Sequence, residues 1–135
     1  MAIRPVLLGP AMRGYVRKGM DGTVYKVLSR TDLVEAKAKG RFEGSADDAR
    51  DGFIHLSSAD QLEGTLAEHF SGQRDLVLLA VDGASLGESL QWEPSWGGAL
   101  FPHLYGPLAF DAVVWEEPLQ LGSDGRHRLP PRVLP

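Results

Sequence analysis

The sequence predicts an α+β fold: one domain in which small mixed β-sheets carry two main helices. Three observations lead there. Short alternating or apolar runs at 24–28, 52–57, 75–82, 90–93 and 112–115 have the pattern of strands. Between them, residues 32–39 and 59–70 place apolar side chains at helical spacing behind capping residues. The chain has 135 residues, enough for a single core without metals or disulfides, and neither a repeat nor a linker divides it.

Each element has its own justification. Val24-Tyr25-Lys26-Val27-Leu28 alternates and is β-branched, so it opens the domain as a strand. Ser29 and Thr31 offer N-caps for a helix from Asp32 to Lys39, with Leu33 and Ala36 on its buried stripe and Gly40 in place to end it. Arg41 to Gly44 reads as a short edge strand or loop. Ser45 to Asp51 reads as a polar turn in which Asp48, three residues after Ser45, gives a capping signal. Gly52-Phe53-Ile54-His55-Leu56-Ser57 is the second strand, followed by the capping box Ser58-Ala59-Asp60-Gln61 and a helix to Phe70 with Leu62, Leu66 and Phe70 facing inward. Asp75 to Asp82 is continuously apolar, which suits a central strand covered on both faces. Ala84 to Leu90 suggests a turn of helix, and Leu90-Gln91-Trp92-Glu93 a strand stopped by Pro94. Ser95 to Pro107, rich in glycine, proline and aromatic residues, reads as an ordered irregular loop. Ala112-Val113-Val114-Trp115 is the last strand. Residues 1–20 form a basic extension, with Met20 as an alternative start, 21–120 the globular domain, and 121–135 an extended or disordered tail.

Composition narrows the function. Zero cysteines remove disulfides, thiol nucleophiles and Cys-ligated metal sites. The longest apolar run, Leu76 to Val81, is far short of the roughly 20 residues that span a bilayer, so no membrane span is expected and the expected compartment is the cytoplasm. Residues 21–120 carry 17 acidic against 7 basic residues. Such a body repels a nucleic-acid backbone, whose binding needs phosphates neutralised, so a long nucleic acid is disfavoured and a small-molecule ligand expected.

The candidate chemistry gathers on two segments. On the second strand Ile54 and Leu56 fix the buried face, so His55 and Ser57 project together to the opposite side, near the N-terminus of the following helix. A half-buried structural histidine and a simple cap are the plainer alternative. His103, in Phe101-Pro102-His103-Leu104-Tyr105-Gly106-Pro107, is held by proline and glycine restraints that suit accurate presentation of a side chain, or equally a turn that seals the core. Glu93, between Trp92 and Pro94, is the leading acid because bulky apolar neighbours desolvate a carboxylate. Lys26 offers a cation for a phosphate, and His69 suits the C-terminal dipole of its helix. No histidine pair has HxH or HxxxH spacing, and no metal site is assigned. Neither a nucleophile elbow nor a glycine-rich nucleotide cradle is present.

The three motifs Val24–Ser29, Gly52–Ser57 and Phe101–Gly106, in that order, resemble a bacterial family known as domain of unknown function 952, over about residues 23–120. More distantly, the strand-helix-strand-helix-strand order and His55-Leu56-Ser57 are similar to the ADP-ribosyltransferase-like fold, which includes NAD-dependent RNA 2′-phosphotransferases. That resemblance implies an NAD-using transferase or hydrolase. Tyr25, Lys26, His55 and Ser57 would line a cleft between two sheets, Tyr105 would join Tyr25, Lys26 and Ser57 around the cofactor, and His55 with Glu93 or His103 would be catalytic. The chain departs from the fold's pattern in having Tyr25-Lys26 where a histidine or arginine is usual. Two rival readings remain: a non-catalytic nucleotide or metabolite sensor using the same cleft, and an interaction domain whose surface is the Trp92, Trp96, Phe101 and Tyr105 cluster.

Overall fold

A computed structural model describes residues 22–133. The basic extension and the alternative start at Met20 lie outside these residues, and so does the side chain of Trp96.

Strand β1 (Thr23–Ser29) runs into helix α1 (Arg30–Lys39), whose N-cap Ser29 accepts a hydrogen bond from the Asp32 amide and whose end is closed by Gly40. Then come β2 (Arg41–Phe42), the short helix α2 (Ala46–Asp51), β3 (Ile54–His55), a 3-10 turn over Ala59–Gln61 and helix α3 (Leu62–His69). The second half carries the strands β4 (Leu76–Asp82), β5 (Leu90–Pro94), β6 (Leu100–Leu104), β7 (Leu108–Ala109), β8 (Val113–Leu121) and β9 (His127–Arg128), with 3-10 turns over Gly83–Ser89, Trp96–Gly98 and Phe110–Ala112.

These strands form a four-stranded sheet in the order β1-β4-β8-β9, a three-stranded sheet in the order β3-β6-β5, and the pair β2-β7. All described pairings are antiparallel, where mixed sheets were expected. The two larger sheets meet at the free edge of β1. There the Tyr25 amide donates to the Ser57 carbonyl at 2.7 Å and the Ser57 amide to the Tyr25 carbonyl at 2.9 Å. The result is a strongly curled antiparallel surface with helices packed on it.

The core lies on both sides of β1 and β4, as the two-residue period of strands requires. Val24, Leu28, Val77, Leu79 and Val81 face one cluster with Leu33, Phe42, Ile54, Leu56 and Leu104. Tyr25, Val27, Leu76 and Leu78 face the other, with Leu62 and Leu66 of α3. The apolar run of β4 thus reflects a central strand covered on both faces.

Three local expectations are corrected. Ser45–Asp51 is a helix with a full capping box, not a turn, because Ser45 and Asp48 satisfy each other's free amides. The segment expected as an irregular loop contains β6, which lies between β3 and β5 despite Pro102. The proline falls where the two-residue ladder of β3 ends: its carbonyl still accepts from the Leu56 amide at 3.0 Å, and its missing amide stops the pairing there. Residues 122–133, expected as an extended tail, include β9, which pairs with the end of β8.

Candidate functional site

The site is built outward from Asp48. As the third residue of α2 it returns a hydrogen bond to its own N-cap: Oδ2 accepts from the Ser45 amide at 2.9 Å. This turns the carboxylate back toward the sheet, where β1 presents Lys26. The Lys26 ammonium lies 2.9 Å from Oδ2 and donates to Oδ1 at 3.2 Å and to the His55 carbonyl at 3.1 Å. Oδ1 also accepts the His55 amide at 3.1 Å and lies 2.6 Å from His55 Nδ1. The Lys26 and Asp48 side chains are only 6% and 2% exposed, so this is a buried pair with nearly every lone pair used. Gly44, at φ +116°, is required here, since a Cβ on it would stand 3.0 Å from the Cβ of Asp48.

His55 and His103 face each other directly across the β3–β6 ladder, with ring centroids 5.9 Å apart. Phe53 stacks on His103 at 3.9 Å and tilts against His55 at 4.7 Å, which fixes both imidazoles from one side. On the next strand, Glu93 Oε1 lies 2.7 Å from His103 Nδ1 and accepts the Tyr105 hydroxyl at 2.8 Å. With Nδ1–H donating to Glu93, the lone pair of neutral His103 sits on Nε2, which no described residue occupies. His55 instead has a carboxylate on each side: Asp48 at Nδ1 and Asp51 Oδ2 2.9 Å from Nε2.

The electrostatics follow. Burial works to raise the Asp48 carboxyl, but the His55 hydrogen bond, the Lys26 charge and the Ser45 amide together hold it well below the usual carboxylate range. Burial pushes Lys26 down against the opposing pull of Asp48. Burial also lowers His103, with Glu93 opposing and the neighbouring His55 reinforcing the shift. The Asp51 carboxyl is lowered chiefly by its hydrogen bond to Arg50.

Around this cluster lies a cleft of about 280 Å³. Tyr25, Lys26, His55, Ser57 and His103, singled out from the sequence, all line it. Their accessibility differs. His55 is about one-third exposed at its side chain, whereas the charge of Lys26 is already matched by Asp48. The Ser57 hydroxyl is buried 2.8 Å from Thr65 Oγ1, and Tyr25 packs in the core with its ring 6.0 Å from Trp115. Glu93 stands behind His103, and Tyr105 is exposed on the far side of Glu93. His69, at the end of α3, also lines the cleft.

Sequence reasoning missed Asp48 and Asp51 as members of the site, and Phe53 as its platform. The Ser45-x-x-Asp48 signal was visible, but its role depends on Lys26, 22 residues earlier in the chain. Among the described residues no group of His, Asp or Glu is placed to hold a metal ion, and no helix is long and apolar enough to cross a membrane.

The same architecture occurs in protein CC0527 from Caulobacter crescentus. Its crystal structure is 53% identical, covers 82% of this chain and 97% of that one, and superposes with a TM-score of 0.79. A crystal structure of a double mutant of that protein gives 52% identity with the same coverage and TM-score. Its solution NMR structure gives 55% identity, 78% and 90% coverage, and a TM-score of 0.71. No curated protein matches the chain. Residues 27–116 match the profile of the family described as "Protein of unknown function (DUF952)", a span that runs from β1 into β8 and takes in Asp48, His55, Glu93 and His103. The chain belongs to that family.

Proposed function

We propose that the protein is an enzyme that transfers protons on a small bound molecule, with His103 as the base through Nε2 and His55 as its neighbour. The observation that carries this reading is the pairing itself: two imidazoles 5.9 Å apart on one cleft, each with Nδ1 held by a carboxylate. A carboxylate at Nδ1 fixes the tautomer and orientation of a catalytic histidine, leaving Nε2 to act. A base must come within hydrogen-bond reach of its proton, and among the described residues no hydrogen bond engages Nε2 of His103, whose side chain is 5% exposed. Burial lowers His103 and so favours the neutral form that a base needs. The cleft lies at the lower end of the about 300–1,000 Å³ of ligand pockets, which favours a compact substrate.

A second reading, an NAD- or nucleotide-using transferase of the ADP-ribosyltransferase-like type, is favoured by one observation. Tyr25 and Lys26 of β1, with His55 and Ser57 in and just after β3, converge on a cleft between two sheets. It asks for a cation beside a phosphate, and Lys26 is committed to Asp48.

The test is a thermal-shift screen of small hydroxy, keto and carboxylic compounds together with NAD and ADP-ribose. Each binder is then incubated in D2O and read by NMR for deuterium incorporation. Proton transfer labels the substrate, and His103→Gln slows labelling by about 10²-fold or more, the usual share of a general base. Consumption of NAD without labelling favours the second reading. Binding without any turnover identifies a sensor, and labelling at the same rate in His103→Gln removes His103 from the chemistry.

A further inference from the structure

Asp51 is the last residue of α2, the end at which a helix dipole disfavours negative charge. Arg50 and His55 hold it there. Arg50 Nε lies 3.1 Å from Oδ1 and Nη2 lies 3.5 Å from Oδ2, and His55 Nε2 is 2.9 Å from Oδ2. Both carboxylate oxygens are therefore engaged, one by Arg50 and the other by His55 with Arg50. All three residues line the cleft, and Arg50 and Asp51 are both open to solvent, at 67% and 34% side-chain exposure.

We propose that Asp51 occupies the place of a substrate carboxylate: a small carboxylic acid displaces it and is held by Arg50 and the Nε2 side of His55. This rests on the reading of the cleft as a small-molecule site, and it names the substrate class. Three points support it. First, the arrangement around Asp51 is already a two-point carboxylate receptor, with a planar two-oxygen group between a guanidinium and an imidazole. Second, the contact is easily exchanged, because ion pairs between exposed side chains hold weakly and Asp51 gains nothing from its helix. Third, the exchange is charge for charge. A monoanionic carboxylate replaces the charge of Asp51, whereas a phosphate dianion adds a further negative charge beside Asp47 and Asp48. The asymmetry between the two faces of His55 fits this division of labour. Asp48 is buried and fixed at Nδ1, while Asp51 is accessible and replaceable at Nε2.

The test titrates sodium acetate, at constant ionic strength, into the wild type and into Asp51→Ala, following the His55 ring resonances by NMR. Removing the internal competitor lowers the apparent Kd for acetate about two- to fivefold in Asp51→Ala, the range that weakly held exposed ion pairs allow. Arg50→Ala in that background restores weak binding. Asp51→Asn, which keeps the shape and removes the charge, also binds more tightly than the wild type. Equal affinity in the wild type and Asp51→Ala, or no movement of the His55 resonances, overturns the proposal. Inorganic phosphate binding more tightly than acetate overturns the carboxylate assignment. Acetate binding does not require His103, so it persists in the Asp51→Ala/His103→Gln double variant. A failure of His103 chemistry is thereby told apart from a failure of this site.

Discussion

Replacing Asp48 by asparagine tests whether the buried charges are what hold the site together. The side chain keeps its shape, but one oxygen becomes an amide NH2, a donor in place of an acceptor. If Oδ1 is replaced, the NH2 meets the Lys26 ammonium, the His55 amide and His55 Nδ1. If Oδ2 is replaced, it meets the Lys26 ammonium and the Ser45 amide. Either way Lys26 loses its counter-charge inside the protein, and removing one partner of a buried pair costs about 3–5 kcal/mol. With a urea slope of about 1–3 kcal/mol per molar, the unfolding midpoint falls by about 2 M. The pH dependence gives a second, independent readout. Asp48 is held below its ordinary range in the folded protein, so its contribution is complete above the unfolded value of about 3.9 and is lost as the pH falls below that. Asp48→Asn lacks this acid limb. In the variant, burial acts on Lys26 without the opposing carboxylate, so the deficit shrinks as the pH rises and Lys26 sheds its proton. Lys26→Met combined with Asp48→Asn is then less destabilising than the sum of the two single changes. A midpoint shift below about 0.5 M, or strict additivity, refutes the account of the pair as a coupled buried unit.

Two further predictions concern the second histidine and the turn before it. Glu93→Gln removes the carboxylate that favours the His103 imidazolium, so the NMR titration of His103 moves to lower pH; an unchanged midpoint means Glu93 does not govern the ring. Gly52 closes α2 at φ +88° with open space where a Cβ would stand, so Gly52→Ala costs about 1–2 kcal/mol from backbone conformation alone; a neutral effect in chemical denaturation contradicts this.

Much of the fold was legible because it rests on local pattern. The alternation of Val24–Leu28, the apolar run of β4, Ser29 and Gly40 at the ends of α1 and the Ser58–Gln61 box all state their structure within a few residues. Where reading failed, the deciding contact was distant. β6 is a strand because β5 and β3 flank it, which outweighs the turn-forming bias of Pro102, while Gly97 and Gly98 make the turn that joins it to β5. The same holds for the site. Ile54 and Leu56 correctly predicted that His55 leaves the core face. Nothing local revealed that His55 meets His103 at the same rung, or that Asp48 meets Lys26. Ser57 shows the limit of strand alternation: it leaves the face of Ile54 and Leu56, only to be covered by α3 through Thr65.

The junction of the two sheets has a mechanical consequence. Tyr25 and Ser57 exchange a single pair of backbone hydrogen bonds, and beyond that rung the seam is closed by side chains reaching across it. Lys26 belongs to one leaf, His55 and His103 to the other, and the ammonium that grips the His55 carbonyl ties the two leaves together. The gap between the leaves is therefore set by an electrostatic latch more than by continuous pairing. The aim of both rings inherits its rigidity from a lysine that touches neither of them.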